Sequence, residues 1–426
     1  MNSKKMMSEN RKRHIVIYSI HYYPELIGIG VFNHEMAQYL AKKDLDVTVV
    51  TAFPWYPYWK VMDGYKGRLL MTEELGGINV KRSYVYSPQK VNSKTRIIHE
   101  TIFAVSSLLN IFPLLFKKVD AVFTVCPPLQ IGLIARLFCM LKRIPLIFHV
   151  QDLQVDAAFD MGMLKSRFLL NVLTKVEKYL FKKATMLTTI SSGMRGKIIG
   201  KGIDEKDVSM MPNWIDTDYI KPMPRNNKFR AEYGISEGKF LALYAGNIGE
   251  KQGVDIVIDV AEMTQDKKEI FYVIAGEGAN RAKLQAKIEE KRLNNMMLMP
   301  LQSREMLPYM LAAADISLII QKKAIGDIVM PSKILNIMAS ARPVVATANQ
   351  TCELSHFINK ANCGIVVEPE NPVLLKDAIL KIYSDPAIGL KYGANGRTYA
   401  IEKLSAESVL GGFVLELQRL LSPNAA

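Results

Sequence analysis

The sequence predicts an α/β fold made of two doubly wound, Rossmann-like domains that face each other across a cleft. Short strand candidates rich in Val, Ile and Thr alternate with helical stretches, as in parallel sheets covered on both faces. The alternation occurs twice, and a polar, turn-rich stretch from Pro224 separates the two series. A chain of 426 residues is also too long for one ordinary domain. We therefore expect an N-terminal domain over residues 1–212 and a C-terminal domain over 213–426, with a last helix that returns to the N-terminal domain.

The strand candidates follow one another closely along both halves of the chain. Those of the first domain begin at His14, Asp46, Ile78, Asp120, Pro145 and Thr185, and a short one ends at Asn213. Those of the second domain begin at Phe240, Glu269, Met296, Asp315, Pro343 and Gly364. Because ligands of doubly wound sheets bind beyond the carboxyl ends of the strands, we expect the functional residues in the loops that follow these segments.

Positive charge is concentrated in the first half of the chain. Residues 1–209 contain 30 Lys and Arg against 17 Asp and Glu, whereas the remainder contains 25 against 24. Such a polarised distribution predicts that the first domain meets an anionic partner. Because no recognised nucleic-acid motif accompanies the charge, an anionic membrane surface or a phosphate-bearing acceptor is favoured over nucleic acid.

The apolar stretch IIHETIFAVSSLLNIFPLLFKK, which begins at Ile97, has two interpretations. Its longest uncharged run, from Thr101 to Phe116, is shorter than the roughly 20 residues that a spanning helix needs. We therefore predict no transmembrane helix. The stretch is either a buried helix of the first domain or a surface at the cytoplasmic leaflet, where the flanking basic residues would give salt-sensitive attachment.

The N-terminus and the cysteines predict a cytoplasmic protein. The first residues are basic and polar and show no secretory signal. The four cysteines have no CxxC spacing and no adjacent histidine, which predicts reduced thiols without a metal or catalytic role.

The loop after the first strand contains Gly28 and Gly30. These glycines allow the backbone to approach a ligand, and the helix that follows directs its N-terminus to the same place. A dinucleotide fingerprint would need a third glycine where this chain has Asn33. A tight turn that requires glycine explains the loop equally well, so the residues alone leave its ligand open.

The segment HVQD places His149 and Asp152 at the end of an apolar strand. From there both side chains can reach a cleft, either to accept the proton of a substrate hydroxyl or to position that substrate. A buried, hydrogen-bonded histidine and a helix-capping aspartate are an equally good interpretation.

Two segments of the second domain suit a diphosphate. In GNIGEKQG, which follows the strand from Phe240, backbone amides and the Lys251 ammonium group can bind phosphate together. In IGDIVMPSK, Pro331 suits a first helical turn, and Ser332 and Lys333 add a hydroxyl and a cation at a positive helix end. A surface turn and an ordinary helix start are the respective alternatives.

These segments carry a family resemblance across nearly the whole chain. HYYPELIGIG, HVQDLQVDAAFDMGML, MPNWIDTDYI, YAGNIGEKQGVDI, VIAGEGANRAKL and MPSKILNIMASARPVVATA occur in the expected order. They resemble a family 4 glycosyltransferase of the GT-B fold, in the branch that builds bacterial capsule, O-antigen and colanic-acid-type polysaccharides. The resemblance implies metal-independent, retaining transfer of one sugar from a UDP- or GDP-sugar to a lipid-linked saccharide, with no cofactor. It also implies a peripheral enzyme on the inner face of the plasma membrane.

The resemblance assigns roles to residues in the strand-end loops. It implies that Asp152 and His149 are catalytic. It implies donor contacts for Gly28, Gly30, Gly246, Asn247, Lys251, Glu277, Asp327, Ser332, Lys333 and Asn336.

The chain departs from the family pattern near the donor sugar. Where the wider family has a Glu-x7-Glu pair, this chain has Ile328 and Asn336, with Asp327 beside the first position. Where the wider family has an Arg and a Lys in its phosphate loop, this chain has Asn247 and Gln252. A non-catalytic assembly subunit of the same fold is therefore one alternative, and a sugar-nucleotide epimerase or hydrolase is another.

Overall fold

The computed structural model describes residues 11–25, 28–160, 167–250, 252–325 and 331–422. The chain divides into two compact units, each with its own sheet. The first unit contains the residues up to Pro212 together with the C-terminal segment from Leu410. The second unit contains Asn213–Val409.

The first unit is built on an eight-stranded sheet. Its strands are β1 His14–Tyr18, β2 Asp46–Ala52, β3 Leu70–Leu75, β4 Ile78–Ser83, β5 Ala121–Cys126, β6 Leu146–Val150, β7 Met186–Thr189 and β8 Val208–Met210. The order is β3-β4-β2-β1-β5-β6-β7-β8, and every pair is parallel except β3 with β4. Because the direction of winding reverses between β1 and β5, the loops after these strands lie at the switch point where such sheets bind ligands.

Helices cover both faces of this sheet. They are α1 Ile29–Lys42, α2 Ser93–Ile111 with a 3₁₀ turn Phe112–Phe116, α3 Leu129–Lys142, α4 Gln154–Asp160, α5 Arg167–Lys183 and α6 Ser192–Gly200. Right-handed crossovers place α2, α3 and α5 on one face and α1 on the other. Helix α3 packs against both α2 and α5. In the core on this face, Phe103 of α2 and Phe138 of α3 pack with Val16 and Val122 of the sheet.

The second unit is a six-stranded, fully parallel sheet. Its strands are β9 Phe240–Ala245, β10 Ile270–Ala275, β11 Met296–Met299, β12 Ile316–Ile320, β13 Val344–Thr347 and β14 Gly364–Val367. Its helices are α7 Lys228–Glu232, α8 Asp255–Met263, α9 Arg281–Glu290, α10 Leu307–Ala313, α11 Lys333–Ala339, α12 Glu353–Ala361, α13 Pro372–Ser384 and α14 Pro386–Tyr399. The order β11-β10-β9-β12-β13-β14 is that of a dinucleotide-binding sheet, with its switch point between β9 and β12. The last helix of the chain, α15 Ala406–Leu420, lies in the first unit from Leu410 onwards.

The sequence-based prediction of two parallel α/β sheets is confirmed, and each of the predicted strands is present. The prediction missed β3, because none of its residues is buried and its three apolar residues do not form a continuous or alternating run. This strand pairs with β4 through Gly76 and Gly77, both at positive φ. Two such glycines form the tight hairpin turn that matches the twist of antiparallel strands.

Helix α2 is longer than the uncharged run in the sequence indicates. The Asn92 side chain accepts hydrogen bonds from the amides of Lys94 and Thr95 and starts the helix well before Thr101. With the 3₁₀ turn, Ser93–Phe116 forms a 24-residue segment, and among the described residues it alone is long and apolar enough to cross a membrane. Because a helix packed on a sheet can pass the same test, the absence of a spanning helix stays a prediction.

Candidate functional site

The second-unit site lies at the switch point between β9 and β12. Lys333, in the first turn of α11 after β12, places its Nζ 4.0 Å from the centre of the Tyr244 ring at the end of β9. A Cβ atom on Gly246 would lie 2.8 Å from the same Nζ, and Gly246 has a φ of 147° that side chains disfavour. Glycine at this strand end therefore leaves the space that the lysine occupies.

The Lys333 ammonium group is held with little hydration. Burial lowers its pKa from 10.5 to about 8, and no charged group among the described residues offsets that effect. The Tyr244 ring face gives only partial compensation through a cation–π contact. An anionic ligand would restore the lost stabilisation of the charged form, so the geometry suits a phosphate group.

The loops after β9 and β10 are held in direct backbone contact. The Gly246 amide donates to the Ala275 carbonyl at 2.9 Å, and the Ile248 amide donates to the Glu277 carbonyl at 2.8 Å. A Cβ atom on Gly276 would overlap the Gly246 carbonyl, and one on Gly278 would overlap the Ile248 carbonyl. These glycines are therefore required for the close approach that fixes the rim of the site.

The other predicted donor residues of these loops are exposed at the rim. The Asn247 carbonyl accepts a hydrogen bond of 2.7 Å from the Tyr244 hydroxyl, which leaves the exposed Asn247 side chain available. Glu277 is exposed and lies 3.6 Å from the guanidinium group of Arg281. Lys251 and Asp327, together with Ile328, lie outside the described residues.

The start of α11 can bind an anion mainly through its lysine, because few of its backbone amides are free. The Ile334 and Leu335 amides donate to the carbonyls of Pro331 and Ser332, so two amides of the first turn are already used. The Ser332 side chain is exposed and makes no capping hydrogen bond. Asn336 lies three residues after Lys333 and therefore on the same side of the helix.

The first-unit site begins with the loop after β1, where Gly28 and Gly30 lead into α1. Gly28 has a φ of 70°, and a Cβ atom on Gly30 would lie 3.0 Å from the Glu25 Cβ. Asn33, at the position of the missing third glycine, donates to the Ser19 Oγ at 2.8 Å and the His21 carbonyl at 2.9 Å. Its buried amide thus ties α1 to the loop, a role that glycine could not fill.

Glu25 organises this loop, and sequence reasoning did not single it out. Its carboxylate is buried, with Oε2 2.8 Å from the His21 Nδ1. Its Oε1 accepts hydrogen bonds of 3.1 Å from the amides of both Trp55 and Tyr56 in the loop after β2. The sequence feature that could have indicated Glu25 is its position as a single carboxylate between a strand and a glycine loop.

An aromatic cluster lies beside Glu25. The Trp55 ring centre is 4.2 Å from that of His99, 4.6 Å from that of Trp59 and 5.1 Å from that of His21. Burial lowers the pKa of His99 to about 4, so this ring is neutral at physiological pH. Trp55 Nε1 and His99 Nε2 are buried without a hydrogen-bond partner among the described residues. Trp55 and His99 are almost fully buried, whereas the Trp59 ring is partly exposed and can stack on a ligand.

His149 lies inside the sheet. Its side chain is buried, with Nδ1 2.8 Å from the Thr188 Oγ1 and Nε2 3.0 Å from the Gln151 side-chain nitrogen. Burial lowers its pKa to about 3, which keeps the ring neutral. Because both ring nitrogens are engaged by neighbouring side chains of the sheet, the geometry favours the structural interpretation of His149 over the catalytic one.

Asp152 is only partly buried at the end of β6. Burial raises the pKa of its carboxyl group and Asp156 raises it further, whereas Arg96 lowers it. Arg96 is itself held by an ion pair of 3.0 Å with Glu100, which accepts a hydrogen bond of 2.7 Å from Gln154. The start of α2 therefore contributes to the electrostatic environment of Asp152, a proximity of distant segments that the sequence did not reveal.

A cavity of about 360 Å³ lies at the loop after β2. Its lining combines aromatic rings with three basic residues, which suits a ligand that has both apolar and anionic parts. The basic residues are Lys60, Lys66 and Arg68, and the rings are those of Phe53, Tyr65, Tyr84 and Tyr86.

Comparison with known proteins identifies the family. Residues 28–214 match the model of the glycosyl transferase 4-like domain, and residues 225–399 match that of glycosyl transferases group 1. The chain is also 33% identical over 413 residues to WcaI of Escherichia coli (strain K12), which is named as a putative colanic acid biosynthesis glycosyl transferase. That alignment covers 95% of this chain and 99% of the relative. The chain belongs to this glycosyltransferase family.

Comparison with solved structures shows the fold class of this glycosyltransferase. Sucrose-phosphate synthase from Thermosynechococcus elongatus superposes with a TM-score of 0.71 at 15% identity, over 96% of this chain and 99% of that one. HepE from Anabaena, in complex with UDP, also gives 0.71 at 14% identity, over 95% and 99%. The GT-B fold expected from the sequence is thus confirmed, and the family assignment places the glycosyltransferase among enzymes that transfer sugars.

Proposed function

We propose that this glycosyltransferase moves one sugar from a UDP- or GDP-sugar to a lipid-linked saccharide during synthesis of a bacterial surface polysaccharide. Transfer is expected to retain the anomeric configuration and to need neither a metal ion nor a cofactor. The enzyme is expected on the cytoplasmic side of the plasma membrane, held at its anionic surface.

The observation that carries the donor class is the Lys333 ammonium group at the switch point. It lies over the Tyr244 ring beside Gly246, with a lowered pKa and no charged partner among the described residues. When a glycosidic bond to a nucleotide diphosphate breaks, negative charge develops on the leaving phosphate. A prepositioned cation in a poorly hydrated site stabilises that charge more than the neutral sugar, which accelerates the reaction.

A solved structure of the same fold supports a nucleotide sugar as the donor. HepE from Anabaena has been solved with UDP and with UDP-glucose. The strand order of the second unit matches that of nucleotide-binding sheets, which bind pyrophosphate at their switch point. UDP is therefore our first choice of nucleotide and GDP the second.

The first unit supplies features that suit a saccharide acceptor. The partly exposed ring of Trp59 offers a face for a sugar ring, and the buried rings of Trp55 and His99 support it from behind. Asp152, whose pKa burial raises, can accept the proton of an attacking hydroxyl or orient it. The basic cavity at the loop after β2 would take an anionic group of the acceptor.

The deciding experiment separates donor binding from transfer. UDP, GDP and their sugars are first screened for thermal stabilisation, since a ligand at a hundred times its Kd stabilises the folded state by about 2.7 kcal/mol. The stabilising sugar nucleotide is then incubated with lipid-linked saccharides extracted from bacterial membranes. Turnover that requires the lipid fraction supports the proposal, whereas donor hydrolysis of equal rate without any acceptor would overturn it.

Two further measurements test the finer parts of the proposal. Full activity in EDTA is expected if no metal takes part, and loss of activity that Mg²⁺ restores would overturn that part. The anomeric proton coupling of the product, compared with that of the donor, shows retention or inversion directly.

A further inference from the structure

Helix α2 buries several polar side chains and exposes large apolar ones. A surface helix of a globular protein normally turns apolar residues to the core and polar residues to water. In α2 the buried face contains three apolar residues and four polar ones. The apolar residues are Phe103, Ala104 and Ile111, and the polar ones are His99, Glu100, Ser107 and Asn110. The opposite, exposed face carries Lys94 and Thr101 near its start and is apolar from Val105 onwards. Composition alone cannot reveal this arrangement, because it depends on which side meets the sheet.

The exposed side of α2 and its 3₁₀ turn forms one continuous stripe. From Val105 onwards its large side chains recur every three or four residues, which is the helical period. Val105 is 61% exposed, Phe112 61% and Phe116 80%, values that are high for side chains of this size. The stripe consists of Ile97, Ile98, Val105, Leu108, Leu109, Phe112 and Phe116.

Helix α3 extends this stripe into a broader surface. It packs beside α2, and its own outward side is also apolar. Lys142 at its end donates hydrogen bonds to the carbonyls of Leu115 at 2.8 Å and Lys117 at 2.7 Å, which ties the ends of the two helical segments together. The exposed residues of α3 are Leu133, Leu137, Met140 and Leu141. These four and the stripe of α2 are called the apolar face below.

Basic residues flank the apolar face along the chain. Residues 101–151 contain five Lys and Arg and one acidic residue, Asp120, which pairs with Arg11 at 2.7 Å. Lys117 and Lys118 are exposed directly after Phe116, and Arg143 is exposed at the end of α3. The pKa of Lys81 is lowered by burial and also by Lys117, so the positive charges are close together. An apolar surface with a basic border complements a bilayer with anionic headgroups.

The same helix is anchored to the sheet and does not leave it to span a membrane. Asn110 donates to the Arg82 carbonyl at 3.0 Å and the Ser83 Oγ at 2.9 Å. His99 bonds to the Tyr86 carbonyl, and Ser107 bonds to the Tyr18 hydroxyl. A spanning orientation would place these polar groups in hydrocarbon without partners, which costs several kcal/mol for each. The helix can therefore meet a bilayer only along its outer side.

We propose that the apolar face inserts into the acyl region of an anionic lipid bilayer while α2 stays packed on its sheet. The occupant of this face is the lipid surface itself, and the basic border only selects anionic membranes and speeds attachment. The inference rests on the proposed function, because a lipid-linked acceptor gives the enzyme a substrate at that surface. The sequence predicted salt-sensitive attachment through basic residues, whereas the present inference is insertion of apolar side chains. Since the start of α2 also holds Arg96 near Asp152, insertion would bring that part of the first-unit site to the membrane.

The test uses the full chain and vesicles that contain neither donor nor acceptor. Flotation with phosphatidylcholine vesicles, with and without phosphatidylglycerol, is measured at 0.1 M and 1 M salt, where the Debye length falls from about 10 Å to about 3 Å. We expect binding to the anionic vesicles that persists in part at 1 M salt. The double variant Leu109→Asp with Phe112→Asp should weaken binding at least about tenfold at both salt concentrations. Lys117→Gln with Lys118→Gln should weaken it mainly at low salt.

A matched control and a depth probe make the test specific. Leu301→Asp with Leu390→Asp changes two exposed leucines of the second unit and should leave binding unchanged. Phe116→Trp should gain fluorescence on binding and lose it in vesicles of brominated lipids, whereas Leu390→Trp should do neither. Unfolding midpoints close to wild type confirm that the variants fold, as expected for exposed positions.

Several outcomes would overturn the inference. Wild-type binding by the Leu109→Asp, Phe112→Asp variant would do so, as would complete release at 1 M salt. Fluorescence of the Phe116→Trp variant that brominated lipid does not quench would contradict it as well. A dimer in sedimentation that the same double variant dissociates would assign the face to a second copy of the chain. Because the vesicles contain no substrates, vesicle binding without transfer to lipid-linked saccharides would refute only the proposed function.

Discussion

The two units share a doubly wound architecture but differ in the chemistry of their strand ends. In the second unit, glycine loops enclose one poorly hydrated cation, Lys333, at the switch point. In the first unit, the corresponding loops bring together Glu25, His21 and a cluster of aromatic rings. Under the proposed function, the same kind of winding serves a diphosphate in one unit and a saccharide in the other. Topology fixes where a ligand binds, and the side chains at the strand ends fix which ligand it is.

The largest expected effect comes from removing the cation of the second unit. Lys333→Ala should lower the transfer rate roughly ten- to a thousand-fold, because one charged contact to the leaving phosphate is lost. Stability should change little, since the lysine is desolvated without a charged partner among the described residues. Steady-state kinetics and a thermal melt check this, with the exposed Lys381→Ala as control. Wild-type turnover in Lys333→Ala would remove the main support for the donor site.

Substitution of Asp152 should affect catalysis and substitution of His149 should affect stability, although the two residues lie at the end of the same strand. Asp152→Asn is expected to lower the turnover number by about a hundredfold, the lower end of general base catalysis, with an unchanged Kd for the donor. His149→Ala is expected to lower stability by about 2–4 kcal/mol, because it leaves a cavity and an unpaired Thr188 hydroxyl. Its activity per folded molecule should stay near wild type. The reverse pattern, with His149→Ala folded but inactive, would restore the catalytic role of that histidine.

A smaller effect is expected from the aromatic cluster of the first unit. Trp59→Ala should raise the KM for the acceptor about three- to tenfold, because a stacked ring contributes about 0.5–1.5 kcal/mol beyond its buried area. The Kd of the nucleotide sugar should not change. Trp59→Phe, which keeps a ring face, should recover most of the affinity. An equal loss of donor and acceptor binding would mean that the ring only supports the fold.

The smallest expected effect is the pH dependence of donor binding. The pKa of Lys333 is lowered from 10.5 to about 8, so the ligand-free side chain loses its charge as the pH rises through about 8. Affinity for UDP should fall several-fold across that range, and Lys333→Ala should lack this step. The free energy of unfolding of the ligand-free protein should instead rise between about pH 8 and pH 10.5. In that range the lysine is protonated in the unfolded chain but neutral in the folded one. Calorimetric titration of UDP on both sides of about pH 8 measures the first effect.

The sequence revealed the sheets because their strands are buried on both faces and read as short runs of Val and Ile, as in β1 and β6. It missed β3, whose half-exposed residues give no such signal. It placed Lys333 at a strand end, but the contact with Tyr244 joins residues far apart in the chain. The same reason hid the pairing of Trp55 with His99. His149 was ambiguous because an apolar strand shows that a side chain is near a strand end, not which way it faces.

The C-terminal helix α15 has a consequence for how the chain is made. Leu410, Phe413 and Leu417 are buried, and the Phe413 ring lies 5.3 Å from that of Phe123 in β5. The first unit thus draws part of its core from a segment that a ribosome adds only after the whole second unit has been synthesised. Domains commonly fold in the order of their translation, N-terminal first. The core of the first unit is therefore complete only after Leu417 has been synthesised, so this unit departs from that order.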